Sequence, residues 1–153
     1  MPLAPTSIAL ASDHAAVELK AALADWLREA GHAVTDLGPD NDDRVDYPDY
    51  GAKLATAIAN GDAERGIALC GSGIGIWIAV NRHRACRCAL VSEPLSAALA
   101  REHNDANVLA IGARLTGIDM AKACISAFLT TDFAGGRHGP RVAKLSALTP
   151  EPL

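Results

Sequence analysis

The sequence IALCGSGIGI, residues 67–76, joins a short apolar run to a glycine-rich turn that opens another apolar segment. The run predicts a buried β-strand ending at Cys70, and the turn predicts the start of a helix. Because Gly71, Gly73 and Gly75 carry no Cβ, a ligand would be able to approach the backbone there. The N–H groups of a first helical turn favour negative charge, including that of a thiolate. The stretch is therefore typical of an α/β active site in which a sulfur moves protons beside a developing oxyanion.

Other interpretations of this turn remain open from the residues alone. Glycine-rich turns also serve close packing, and a cysteine at a strand end is often an inert core residue. The turn lacks the Gly-Lys-Ser/Thr ending of a P-loop, and it follows the third predicted strand rather than the first, where a dinucleotide fingerprint would lie. A catalytic site, a structural turn and a non-catalytic flavodoxin-like module that holds a phosphate or nucleotide are the alternatives.

Outward from this stretch, short β-like runs alternate with amphipathic helical segments. The predicted strands cover Ser7–Ala11, His32–Asp36, Gly66–Leu69, Arg87–Val91 and Val108–Ile111. The predicted helices cover His14–Ala30 (ended by Gly31), Tyr50–Asn60, Ile74–Asn81, Pro94–Glu102, Gly117–Thr130 and Pro140–Leu148. The alternation predicts an α/β fold: a Rossmann-like, doubly wound, mostly parallel five-stranded sheet with helices on both faces, plus a C-terminal helix. We expect a single domain over residues 1–153, with a core at about 7–131 and a C-terminal segment at about 132–148.

Ligands of such sheets bind outside the carboxyl ends of the strands. Polar side chains gather near the predicted strand ends, where Asp13 and His14 follow the first strand and Ser72 follows the third. A further polar segment, residues 103–107, precedes the fifth strand. These side chains are the candidate catalytic and ligand-binding groups.

The composition indicates one soluble globular domain that acts on small molecules. The chain has 153 residues, 50% hydrophobic and 4% aromatic, with a formal net charge of −4. Without basic clusters or stacking aromatics it is not expected to bind nucleic acid. No segment approaches the roughly 20 apolar residues of a membrane span, and residues 1–6 lack the charged start of a leader, so no membrane partner and a cytoplasmic location are expected. The four cysteines are expected to be reduced, with Cys86 and Cys88 in the core rather than in a zinc site.

Several motifs occur together in an order that resembles a known family, the type B ribose-5-phosphate isomerases, which also contain the galactose-6-phosphate isomerase subunits. The resemblance spans roughly residues 8–145 and is far more specific than one glycine turn. The matching motifs are Asp13-His14, Asp46-Tyr47-Pro48, the Cys70–Gly75 turn, Ser92-Glu93-Pro94, His103–Leu109, and Gly135-Gly136-Arg137-His138 with Arg141. Trp77 departs from the family pattern, which has a small residue there, and an indole at this position would reshape the pocket or fill the core or an interface.

The resemblance implies an enzyme that interconverts an aldose phosphate and a ketose phosphate through an enediolate, with neither metal nor cofactor. Cys70 would be the base at carbon 2, and Ser72 would move or steady protons on the sugar oxygens. The N–H groups from Gly71 to Gly75 would stabilise the enediolate. His103 would open the furanose ring, and Asn104 would orient the substrate.

The resemblance also implies where the rest of the substrate binds. On a continuous helix Arg137 and Arg141 would project from one face and bind phosphate together. The family shares its site between subunits, so a homodimer or a dimer of dimers is expected. D-ribose 5-phosphate is the expected substrate, with a tetrose, allose or galactose phosphate as alternatives. Further phosphate or hydroxyl contacts would come from His14 and Arg114, and contacts nearer the sugar ring from Asp13 and Tyr47.

Overall fold

The computed structural model describes residues 5–148, and its elements alternate as the sequence predicts. The strands are β1 (Ser7–Ser12), β2 (Ala33–Asp36), β3 (Arg65–Cys70), β4 (Cys88–Leu90) and β5 (Val108–Gly112). A short 3-10 turn, His14–Ala16, precedes the first α-helix. The helices are α1 (Val17–Glu29), α2 (Tyr47–Ala59), α3 (Ile74–Val80), α4 (Pro94–Asn104), α5 (Ile118–Thr130) and α6 (His138–Leu148).

The five strands form one sheet in the order β2-β1-β3-β5-β4, and every neighbouring pair is parallel. Successive side chains of β1 alternate between two cores, as the period of a strand requires. Ile8 and Leu10 pack with α1, α4 and α5, whereas Ala9 and Ala11 pack with α2 and α3. The prediction of a Rossmann-like sheet with helices on both faces is confirmed.

The structure corrects several predicted helix ends, and three of these corrections affect the candidate site. Helix α2 begins at Tyr47 rather than Tyr50, because Pro48 fits the first turn, where no N–H is needed. Helix α4 continues to Asn104, where Asp105 ends it in the left-handed conformation (φ 48°). His103 therefore lies in the last helical turn rather than in a loop.

Helix α6 also begins earlier than predicted, at His138 rather than Pro140. Arg137 lies just before the helix, so the condition of one continuous helix over Arg137 and Arg141 is not met. Pro140 sits within the first turn, where its missing N–H breaks no helical bond. None of the residues of α6 is buried, and the helix contacts mainly α4.

All four cysteines are free and buried. The prediction that Cys86 and Cys88 lie in the core is confirmed, since both pack beside α2 and α3. Burial raises the pKa of Cys86 to about 11 and raises the pKa of Cys88 as well. Within residues 5–148, no helix has the length and apolar character to cross a membrane.

Candidate active site

A cleft of about 280 Å³ opens at the carboxyl ends of β1 and β3, where the sheet rule predicts a ligand site. It collects eight of the residues singled out from the sequence. The lining consists of Asp13, His14, Ala15, Tyr47, Cys70, Gly71, Ser72, Gly75 and Arg114.

The sulfur of Cys70 is held at the floor of this cleft. Cys70 is the last residue of β3 and is 4% exposed. The Gly73 N–H donates to its Sγ at 3.1 Å, and the Ile74 N–H donates to the Ser72 Oγ at 3.2 Å. An N–H that donates to the sulfur fixes the position of Sγ beside the start of α3. Two N–H groups of the turn are thus already used by the side chains that would do the chemistry.

The glycines of the turn make room for protein groups. Gly73 has a φ of +78°, and a Cβ there would lie 2.8 Å from the backbone of Ile111 and Gly112. A Cβ at Gly75 would lie 2.7 Å from the Tyr47 ring, and one at Gly71 would lie 3.2 Å from the Arg114 guanidinium. The absent side chains therefore allow Tyr47 and Arg114 to pack directly against the turn.

Asp13 and His14 are fixed by the chain that follows β1. The Asp13 carboxylate accepts a hydrogen bond from the Ala15 N–H at 3.0 Å, and the backbone N–H of Asp13 donates to the Leu69 carbonyl at 3.1 Å. Nδ1 of His14 lies 3.1 Å from the backbone of Val45, in the loop before α2. Both side chains are therefore held at the cleft wall before any ligand arrives.

Gly73 lies in the turn beside Cys70, but four other predicted site residues, His103, Asn104, Arg137 and Arg141, lie toward the opposite edge of the sheet, at the amino ends of the strands. His103 and Asn104 end α4 and lead into the amino end of β5, whereas Cys70 pairs with Gly112 at its carboxyl end. The four residue steps from Val108 to Gly112 span about 13 Å. Arg137, just before α6, and Arg141, in its first turn, lie near His138, whose ring stacks on that of His103. One chain therefore does not bring this second group to its own cleft.

A buried arginine that the sequence analysis missed holds the end of α4. Arg101 is 4% exposed and donates to the Asp105 carboxylate at 2.8 Å and to the Ala106 carbonyl at 2.6 Å. It also donates to the Thr131 carbonyl after α5 at 3.3 Å. These bonds fix the helical turn that carries His103. The i, i+4 spacing of Arg101 and Asp105 could be noticed in the sequence, but it is equally typical of a solvated helix face, and the burial of Arg101 depends on the segment after α5 that carries Thr131.

A second missed residue, His138, stacks on His103 with ring centroids 4.5 Å apart and planes 15° from parallel. Partial desolvation lowers the pKa of His138, the neighbouring His103, Arg137 and Arg141 lower it further, and Glu102 opposes them. Its place directly after Arg137 in the Gly135-Gly136-Arg137-His138 motif was the available signal.

Trp77 does not line the cleft. Its indole N–H donates to the Cys88 carbonyl at 2.9 Å, and the Asn81 side chain bonds the N–H and carbonyl of the same residue. These contacts cover the outer edge of β4, so Trp77 serves packing. Within residues 5–148, no group of three His, Cys, Asp or Glu side chains is arranged to hold a metal ion.

The chain is similar to known proteins along most of its length. The sequence profile of the family described as Ribose/Galactose Isomerase matches residues 8–145. Ribose-5-phosphate isomerase B of Escherichia coli is 43% identical over 92% of this chain and 95% of its own, and the D-erythrulose-4-phosphate isomerase of Pectobacterium atrosepticum is 42% identical over 91% and 92%. The crystal structure of a ribose 5-phosphate isomerase from Thermotoga maritima superposes with a TM-score of 0.91, at 45% identity, covering 94% of this chain and 99% of that one.

Proposed function

The chain belongs to the ribose/galactose isomerase family and is an aldose–ketose isomerase of sugar phosphates, and we propose that it interconverts D-ribose 5-phosphate and D-ribulose 5-phosphate. The observation that carries this proposal is the cleft in which Cys70 and Ser72 face Asp13, His14 and Arg114. The relatives named for the pentose reaction support the choice of substrate. Membership of this family sets aside the non-catalytic phosphate-binding module.

In the proposed mechanism Cys70 is the base. Its thiolate removes the proton from carbon 2 of the open-chain aldose, which leaves a cis-enediolate, and the resulting thiol returns a proton to carbon 1 to form the ketose. The Ser72 hydroxyl transfers a proton between the oxygens on carbons 1 and 2. The Gly73 N–H that contacts Sγ supports this role, because it holds the sulfur in place beside the first turn of α3. The reaction is a proton transfer, and we propose that it uses neither metal nor cofactor.

The phosphate group needs positive charge at the other end of the substrate. His14 and Arg114 supply imidazole and guanidinium groups within the cleft. We propose that Arg137 and Arg141 of a second subunit complete the phosphate site, since a guanidinium can bond two phosphate oxygens at once. Asp13 and Tyr47 would then contact the sugar between the phosphate and Cys70.

A homodimer with shared sites follows from the division of these residues between two edges of the sheet. His103 and Asn104 lie about one strand length from the Cys70 of their own chain. In a dimer with twofold symmetry the same surface of each chain meets the other, so each chain can lend these groups to its partner's cleft. We propose such a dimer, alone or paired into a dimer of dimers, in which the partner's His103 opens the furanose ring. A cytoplasmic location stays a prediction.

A tetrose phosphate is the second candidate substrate, because a D-erythrulose-4-phosphate isomerase is 42% identical to this chain. An allose or galactose phosphate is a third. One carbon more or less changes the transition-state free energy by only about 1–3 kcal/mol in an apolar pocket, so the substrate has to be measured.

The test is isomerisation of D-ribose 5-phosphate by the wild type and Cys70→Ala, each with a metal chelator present. We expect chelator-resistant wild-type turnover that is lost in Cys70→Ala, with thermal unfolding unchanged. Cys124→Ala, which removes a buried thiol far from the cleft, is the matched control and should stay active. Full activity of Cys70→Ala would refute the assigned base. If the wild type acts only on D-erythrose 4-phosphate or a hexose phosphate, that sugar phosphate replaces ribose 5-phosphate as the proposed substrate.

A further inference from the structure

The chain leaves α4 through a residue in the left-handed conformation, Asp105. Its φ and ψ are 48° and 43°, and within residues 5–148 every other residue with a positive φ is a glycine. Side chains rarely adopt this conformation, although aspartate and asparagine tolerate it better than most. The Asp105 N–H donates to the Arg101 carbonyl at 3.2 Å and so closes the last helical turn. The turn at Asp105 therefore sets the direction in which the chain leaves Asn104, the last residue of α4.

Asn104 carries an amide that the chain itself does not use. Its side chain is exposed and has no hydrogen-bond partner within residues 5–148. Asn107, three residues later, is bonded at both ends of its amide. Its Oδ1 accepts a hydrogen bond from the Arg87 N–H at 2.8 Å, and its Nδ2 donates to the Ala85 carbonyl at 2.8 Å. Of these two asparagines, Asn107 is part of the fold and Asn104 is available to a ligand.

The Asp105 carboxylate holds the turn between two arginines of different elements. Oδ1 accepts a hydrogen bond from Nη1 of Arg101 in α4 at 2.8 Å, and Oδ2 accepts one from Nη2 of Arg87, just before β4, at 3.4 Å. The Asp105 carbonyl accepts a further hydrogen bond from Nε of Arg87 at 2.8 Å. The Arg101 side chain is buried and that of Arg87 is 22% exposed, so both guanidinium groups depend on these charge-assisted bonds. One carboxylate thus ties the end of α4 to the start of β4.

A third arginine, Arg65 at the start of β3, lies close enough to feel the same charges. Burial lowers the pKa of Arg65, and the charges of Arg101 and Arg87 lower it further, whereas Asp105 raises it. The Asp105 carboxylate therefore offsets the repulsion among three guanidinium groups. Without it these groups would move apart, and the turn that is bonded to two of them would shift.

We propose that Asp105 is a positioning residue, whose carboxylate, held between Arg87 and Arg101, aims the Asn104 amide at the substrate. The inference rests on the proposed function, in which each chain lends Asn104 to its partner's cleft. Misplacing a substrate-positioning group by about 1 Å can lower turnover about 100-fold. The arginines proposed to bind phosphate belong to a separate segment around the start of α6. Loss of the carboxylate should therefore lower kcat and leave KM almost unchanged.

The experiment compares three substitutions of Asp105 in the full-length protein by turnover of D-ribose 5-phosphate. Asp105→Ala removes the carboxylate and disfavours the left-handed turn. Asp105→Gly also removes the carboxylate but adopts the turn without strain, so it should fold even where the alanine variant does not. Asp105→Asn tolerates the turn and keeps a side-chain oxygen that can accept a hydrogen bond from Arg101.

We expect Asp105→Ala and Asp105→Gly to lower kcat about 10- to 100-fold with KM within about threefold, and Asp105→Asn to keep kcat within about threefold of the wild type. Asn104→Ala should lose at least as much turnover as Asp105→Gly. Combining these two substitutions should cost no more than Asn104→Ala alone, because Asp105 acts through Asn104. Asp25→Ala, which removes a carboxylate from an exposed ion pair with Arg28, is the control and should match the wild type.

Four results would overturn the inference while leaving the proposed function intact. Wild-type turnover in Asp105→Gly would mean that the carboxylate is not needed, and an equal loss in Asp105→Asn would mean that an acceptor in the same place is not enough. Losses that multiply in the double variant would place the role of Asp105 elsewhere than at Asn104. A raised KM with unchanged kcat would assign Asp105 to binding rather than to aim. A wild type that turns over no sugar phosphate would refute the proposed function, and this inference with it.

Discussion

Mixing two inactive variants tests whether the cleft is completed by a second chain. Cys70→Ala removes the proposed base at the carboxyl end of β3, and His103→Ala removes the proposed ring-opening group before the amino end of β5. About 13 Å of strand separates these ends, whereas a proton passes between groups about 3 Å apart. His103 therefore cannot serve the Cys70 of its own chain, and each variant alone should be inactive on ribose 5-phosphate.

A mixed dimer should regain activity, because one of its two clefts receives an intact residue from each chain. The other cleft carries both substitutions. Random exchange makes half of the molecules mixed, so the recovered activity should be about a quarter of the wild-type value. Heterodimers isolated through two different affinity tags should reach about half.

The assay is turnover of ribose 5-phosphate after the two variants are unfolded together and refolded, with the tags reporting how many dimers are mixed. Cys70→Ala mixed with Ser72→Ala is the control: both side chains line the same cleft, so every site stays damaged. If tagged heterodimers of Cys70→Ala and His103→Ala form but remain inactive, the shared-site proposal is wrong.

Three further predictions concern packing and charge. Gly75→Ala would place a Cβ 2.7 Å from the Tyr47 ring. We therefore expect a higher KM for the sugar phosphate and a free energy of unfolding in urea that is about 1–3 kcal/mol lower. Unchanged values would contradict the close packing of Tyr47 on the turn. Lys20 is 1% exposed and lies 2.6 Å from the Asp36 carboxylate, which is 30% exposed and keeps part of its solvation when the ammonium is removed. Lys20→Met should therefore cost about 1.5–3 kcal/mol by the same measurement, against under about 1 kcal/mol for an exposed ion-pair residue, and no loss would contradict the prediction. Burial raises the pKa of Cys86 from 9.0 to about 11, so the folded state holds the thiol proton more tightly than the unfolded state does. The stability that this thiol contributes therefore falls as the pH rises from 9 to 11. Cys86→Ala should make the free energy of unfolding less dependent on pH in that range, and an unchanged dependence would refute burial of Cys86 as the cause.

The alternation of strands and helices was enough to predict the sheet, because each element has its own hydrophobic period. The cleft residues on the first and third strands were also predictable, since the carboxyl ends of parallel strands meet at one edge. The position of His103 was harder to predict. Helix α4 continues to Asn104, and its end depends on the hydrogen bonds that Arg101 donates to Asp105 and Thr131. The contact with Thr131 joins segments 30 residues apart and leaves no periodic signal.

The glycine turn shows why a motif indicates a site more reliably than it indicates what the site does. The sequence suggests a cradle for a ligand, with bare Cα atoms and free N–H groups. In the structure Tyr47 and Arg114 occupy the space beside Gly75 and Gly71, and the Gly73 and Ile74 N–H groups contact Sγ of Cys70 and Oγ of Ser72. Two N–H groups of the turn are therefore taken by side chains of the turn itself. Under the proposed function, discrimination between a tetrose and a pentose phosphate would depend on the side chains around the turn and on those of the proposed second chain, so substitutions there, rather than at the glycines, should change the preferred substrate.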